Sequence, residues 1–175
     1  KADIGWNTGS GFIKEIAHGV LGYAMMLPLL GIGMVLTMIL MLLQQFFTGG
    51  PESDPFAGTG GGAHPIIVDI ANGGWQLRIL LFTLAAVAAP IVEETMFRGV
   101  LYRQLRTSSN LFDHAISIIG SVLIVSFLFA AIHPQGWMAI PALMGIAIGM
   151  NLMREWRGSI LPSMVVHGLN NVLVI

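Results

Sequence analysis

From about Val20 to Phe47 the chain has no Asp, Glu, Lys or Arg, and its Met, Leu, Ile and Gly leave no polar face at helical spacing. That run is longer than the roughly 20 residues that cross a bilayer core, so it predicts a lipid-facing transmembrane helix. Residues 48–75, with TGGPESDPFAGTGGGAHP at their start, are rich in Gly and Pro and read as a loop. A second apolar run starts near Gln76 and continues through LRILLFTLAAVAAPIVEETMFRGVLYRQLR to Arg106. Pro90 predicts a kink there, because it lacks a helical N–H and clashes with the carbonyl one turn before it. Such a helix is about 45 Å long, more than a bilayer core requires.

The third run, Ala115 to His133, ends at HPQG, where Pro134 and Gly136 break the helix. The fourth, Trp137 to Met153, carries Gly145 and Gly149 four apart, a spacing that lets helices approach closely. The fifth spans Ser159 to Ile175. The pattern predicts an all-α, polytopic transmembrane helix bundle of about five spans, forming one integral-membrane domain over residues 1–175. Its parts are a first span at 20–47, the loop at 48–75 and a helical core at 76–175.

Composition agrees with this reading. Hydrophobic residues make up 55% of the chain and charged residues 10%, against roughly 25% charged in soluble domains. Mean hydropathy is +0.79. A net charge of -1 with no Lys/Arg cluster argues against nucleic acid as a partner. With no cysteine there is no disulfide, thiolate metal site or cysteine nucleophile. The chain starts at Lys1 and stops at Ile175 inside an apolar run, which reads as a piece of a longer protein. Arg98, Arg103 and Arg106 follow the second span and Arg154 and Arg157 the fourth, whereas the loop carries Glu52, Asp54 and Asp69. This asymmetry places the ends of spans two and four in the cytoplasm. Trp6, Trp75, Trp137 and Trp156 flank spans and read as interface anchors.

A charge at the centre of a membrane helix costs roughly 2.5–3.5 kcal/mol on insertion scales, so the polar residues inside the spans need partners or roles. Glu94 and Arg98 are spaced i,i+4 with the acid first, the favourable order for a helical ion pair. Glu93 lies about 100° around the helix from Glu94 and has no partner in its own segment. Phe129 and His133 share a helical face, as do His167 and Asn171. Each of these alone fits a solvated span end; together they fit a bundle interior or water-filled cavity. His18, His64 and His114 lie at span edges or in the loop and receive no role.

EETMFR resembles the Glu-Glu-x-x-x-Arg motif of the type II CAAX prenyl endopeptidase and bacteriocin-processing family of intramembrane proteases, also called CPBP or Abi. FAAIH resembles that family's Phe-x-x-x-His motif and HGLNN its His-x-x-x-Asn motif, in the family's order across residues 93–171. The first span and the glycine-rich loop lie outside the resemblance. It implies a membrane-embedded endopeptidase that hydrolyses a peptide bond near the C-terminus or leader of a membrane-associated substrate. Glu93 would be the catalyst, with His133 helping to hold the water. His167 and Asn171 would face them, the asparagine amide serving as oxyanion donor, and Glu94, Arg98 and Phe129 would support the site. The implied partners are a peptide or protein substrate, lipidated in part of the family, and the bilayer of a bacterial cell membrane.

Amide hydrolysis needs an activated water, a group that returns a proton to the leaving nitrogen, and oxyanion donors. A second chemistry is open to the same residues. Glu93, His133 and His167 form a two-histidine, one-carboxylate set able to hold zinc, although the chain has no His-Glu-x-x-His helix. Family members are described with either mechanism, and the metal-free one is the expectation here. A non-enzymatic scaffold or proton-relay transporter fragment is the alternative from another class, without the inverted repeat of spans that transporters carry. The protease reading makes a geometric demand: spans two, three and five must be neighbours, with Glu93 and His133 side chains about 4–6 Å apart around one water. From a cytoplasmic Ala115, His133 lies about 27 Å along its helix, so Glu93 must be equally deep.

Overall fold

The computed structural model describes residues 4–48, 69, 72–109 and 113–174. They form helices α1 (Phe12–Thr48), α2 (Trp75–Ser108), α3 (His114–Ala131), α4 (Ile140–Arg157) and α5 (Leu161–Val174), with a short 3-10 turn, Trp137–Ala139, leading into α4. No strand occurs among the described residues. The glycine-rich stretch with Glu52, Asp54 and His64 lies outside them. Four helices are long and apolar enough to cross a membrane, so the protein is the expected all-α polytopic bundle. The fifth apolar helix, α5, has 14 residues, about 21 Å, and is short for a span on its own.

Helices two, three and five do converge, but α4 holds them: it packs on α1, α3 and α5 together. Helix α2 lies along α5 through its first half and along α3 through its second. Gly145 and Gly149 form a seam against α1. A Cβ on Gly145 would sit 2.5 Å from the Leu29 carbonyl oxygen, and one on Gly149 would sit 2.6 Å from Met26 Cβ. The small-residue spacing is thus a helix contact, as read.

Helix α1 is exposed over most of its surface, as a lipid-facing helix is, but one side is sequence-specific. Gly22 and Gly33 abut Met153 and Pro141 of α4, and Met26 and Met41 are buried. The helix also starts at Phe12 rather than near Val20. Glu15 is the reason: it is fully buried and paired with Arg157 at 2.7 Å, so this charge lies inside the helix and does not mark its end.

Helix α2 is not uniformly α. The α segment Ala89–Glu94 is flanked by two π segments, Leu84–Ala88 and Thr95–Leu101. Pro90 is the local cause of the first, since Ala86, four residues earlier, loses its usual donor. The Ala89 N–H reaches back to the Leu84 carbonyl in a five-residue step. Helix α5 seats on this opened turn. Asn171 Nδ2 donates to the Ala85 carbonyl at 2.8 Å. A Cβ on Gly168 would lie 2.7 Å from the Ala86 oxygen, so only glycine admits that carbonyl. Gly168→Ala should therefore destabilise the protein by about 1–3 kcal/mol through overpacking, read as a lower melting temperature in detergent. An unchanged melting curve would mean that α5 does not seat on α2 in this way.

Candidate active site

Glu93 and Glu94 end the central α segment of α2 and point in different directions. Glu94 and Arg98 are both 0% exposed and their side chains meet at 3.0 Å, the ion pair that the i,i+4 spacing predicts. Burial of two charges is tolerable only with further partners. Arg98 Nη2 donates to the Ala147 carbonyl on α4 at 3.1 Å, and its guanidinium carbon lies 4.6 Å from the centre of the Phe129 ring on α3. His167 Nδ1, on α5, donates to Glu94 Oε1 at 3.0 Å.

These bonds determine the histidine tautomers. A carboxylate only accepts, so Nδ1 of His167 carries hydrogen, and in the neutral ring Nε2 then presents a lone pair. His133 closes the end of α3 with its Nδ1 on the Phe129 carbonyl. A carbonyl also only accepts, so His133 has the same tautomer. The Nε2 atoms of both rings face one atom: Glu93 Oε2 is 3.7 Å from His133 Nε2 and 3.8 Å from His167 Nε2. Those separations exceed a direct hydrogen bond, and Glu93 Oε2 has no hydrogen-bond partner among the described residues. With both rings neutral the three atoms are acceptors, and one water can donate to two of them.

The remaining expected residues fall around this centre. Phe129 forms a wall beneath both imidazoles, with ring centroids 4.2 Å from His133 and 5.6 Å from His167. Asn171 stands one turn beyond His167, but its amide goes to the Ala85 carbonyl on α2. That bond makes it a brace between α5 and α2. The zinc set of Glu93, His133 and His167 does converge, yet among the described residues no group of three His, Asp or Glu side chains is arranged to hold a metal ion. His18 packs edge-on against Trp156, and His114 starts α3 at the end opposite His133.

The depth requirement is met by antiparallel pairing of α2 and α3. Arg106 donates to Ser117 at one end of the pair, while Glu93 and His133 meet at the other. Glu93 is thirteen residues before Arg106 and His133 sixteen after Ser117, so both lie about 20–24 Å from that end. The same end holds Arg106 against Glu155 at 3.0 Å, bringing the basic ends of α2 and α4 together. Sequence reasoning missed the Ala147 carbonyl as Arg98's second partner, and it missed Gly168. The glycine inside HGLNN was the available signal for the latter.

Removing one member of a buried ion pair costs roughly 3–5 kcal/mol, because the other charge is left unpaired. Arg98→Ala should lower both the melting temperature and any catalytic rate. Unchanged melting would show that the pair is solvated.

The type II CAAX prenyl endopeptidase Rce1-like family model matches residues 75–173, which takes in α2 through α5 and all three motifs. Neither the curated proteins nor the solved structures compared with the chain gave a match. The family match covers more than half of the sequence, and the chain belongs to the type II CAAX prenyl endopeptidase Rce1-like family of membrane proteases.

Proposed function

We propose that the protein is an intramembrane endopeptidase of the CAAX-processing type, cleaving a peptide bond near the C-terminus or leader of a membrane-associated substrate with a water held by Glu93, His133 and His167. One observation carries the reading: the Nε2 atoms of two imidazoles, each anchored through Nδ1, converge on Glu93 Oε2 at 3.7 and 3.8 Å. Water between them gives one hydrogen to the carboxylate and the other to an imidazole, which turns the oxygen lone pair outward to the scissile carbonyl. As the C–O bond forms, Glu93 takes the proton. It then returns that proton to the amide nitrogen as the C–N bond breaks. Glu94 is unsuited to this work, since Arg98 and His167 already occupy its Oε1.

The surroundings of Glu93 favour a substrate delivered along the bilayer. The Glu93 side chain is 31% exposed. Its neighbours Val92 and Met96, and Ile132 beside His133, are exposed apolar residues. A lipidated or membrane-anchored peptide would approach over that apolar rim. The glutamate mechanism draws on no metal.

Glu93→Gln should reduce cleavage of a membrane-anchored reporter peptide by about 10²-fold or more, since general-base catalysis contributes that much, with folding unchanged. Retention of more than a tenth of the wild-type rate would overturn the assignment, and proton-coupled uptake abolished by the same change would favour the transporter alternative. Dialysis against a chelator should leave the rate within about twofold, the ordinary tolerance for a group outside the reaction path. A loss restored by zinc would instead assign Glu93, His133 and His167 to a metal.

A further inference from the structure

The residues before α1 lie outside the family match, which begins at residue 75, yet they reach the part of α2 that carries the glutamates. The segment Ile4–Ser10 runs against the turn between α4 and α5. The Ile160 N–H donates to the Gly5 carbonyl at 3.0 Å, Asn7 Nδ2 donates to the Gly158 carbonyl at 3.1 Å, and Ser159 Oγ donates to the Asn7 carbonyl at 2.7 Å. Gly5 has φ +84°, where a side chain is strained, and a Cβ on it would lie 2.9 Å from Arg154 Cζ.

Three contacts then bear on the second π segment of α2, Thr95–Leu101. Trp6 Nε1 donates to Thr95 Oγ1 at 3.0 Å, while the Thr95 hydroxyl itself donates to the Ile91 carbonyl at 2.6 Å. The Ile4 carbonyl lies so close to Gly99 that a Cβ there would come within 2.9 Å of it. Arg154, against which Gly5 packs, donates through Nε to the Arg98 carbonyl at 3.3 Å. Trp6 is thus more than the interface anchor its position in the sequence suggests.

A π turn inserts one residue into the α register, worth about 100° of rotation between the helix on either side of it. On the far side, Tyr102 and Arg106 are fixed by bonds to Glu155. On the near side stand Glu93 and Glu94. Whatever holds the π turn therefore sets the direction in which the two glutamates face.

We infer that the segment Ile4–Asn7 is a register lock for the catalytic helix, with Trp6 a positioning residue that acts on Glu93 and Glu94 through Thr95. The lock rests on the protease reading only for its effect on rate; its effect on the geometry of residue 93 stands apart from it. Trp6→Phe removes the indole N–H and keeps a ring, and Thr95→Val removes the acceptor at nearly constant volume.

Cleavage of a membrane-anchored reporter peptide by the full chain should show kcat lowered about five- to tenfold in each variant, because a small misplacement of a catalytic group is costly. KM should stay within about twofold and melting should be unchanged. The double variant should be no slower than Thr95→Val alone, since that change already removes the bond that Trp6→Phe removes. The chain has no cysteine, so Glu93→Cys gives a single labelling site. Its reaction rate with a thiol reagent should change at least about threefold when Trp6→Phe is added, with Phe46→Cys unaffected as a control. Wild-type kcat in Trp6→Phe together with unchanged labelling at 93, or kcat and melting falling together with labelling unchanged, would overturn the lock. Cleavage that survives Glu93→Gln would instead count against the protease reading, and the labelling comparison would then decide the lock by itself.

Discussion

The ion pair between Glu94 and Arg98 is the constraint on which the rest of the site depends. Both side chains are wholly removed from solvent in a protein that places only 10% charged residues along its length. Desolvation of two charges costs several kcal/mol each, offset in part by partners at further positions on the two side chains. Those positions tie α2 to three other helices: Ala147 on α4, the Phe129 ring on α3 and His167 on α5. A buried pair of this kind adds little net stability. What it adds is specificity, because any other rotation of α2 would strand a charge in apolar surroundings.

Two chemically identical neighbours acquire different tasks from this arrangement. Glu94 is turned inward and held through Oε1 by Arg98 and His167, whereas Glu93, one residue earlier and about 100° away, has a partly exposed side chain whose Oε2 faces the Nε2 atoms of two imidazoles. Environment, not residue type, separates the acid held in the ion pair from the one proposed as catalyst. The separation needs α2 to leave the α register on both sides. Pro90 and Gly168 accommodate the first π segment, and the contacts of Trp6, Ile4 and Arg154 surround the second.

What could be read in the sequence was local and periodic. Apolar run length marked α1 to α4, and i,i+4 spacing marked the Glu94–Arg98, Phe129–His133 and His167–Asn171 faces. Depth along helices of known rise then required the meeting of Glu93 and His133 that the antiparallel α2–α3 pair provides. Long-range partners were invisible for a physical reason: a backbone carbonyl such as Ala147's carries no signature in its side chain. The central place of α4 was hidden likewise, since a glycine-bearing apolar helix looks the same whether it faces lipid or four neighbours. Asn151 illustrates the point: it is fully buried, its amide on Ser126 at 3.0 Å, yet its sequence position at a span end gave no hint of this. Asn171 was legible as an inward residue, but not as the brace on Ala85, because the opening of the helix at Pro90 creates that acceptor.

The central claim is that two anchored imidazoles turn their Nε2 lone pairs toward Glu93. Nitrogen-15 NMR of the purified protein, with histidine labelled and His133 and His167 assigned by single replacement, reads the tautomers directly at a pH where the rings are neutral. The account predicts that both rings carry hydrogen on Nδ1 and none on Nε2. Hydrogen on Nε2 of either ring would contradict it, since that ring would then meet the Glu93 carboxylate as a donor and not as a second acceptor for the water.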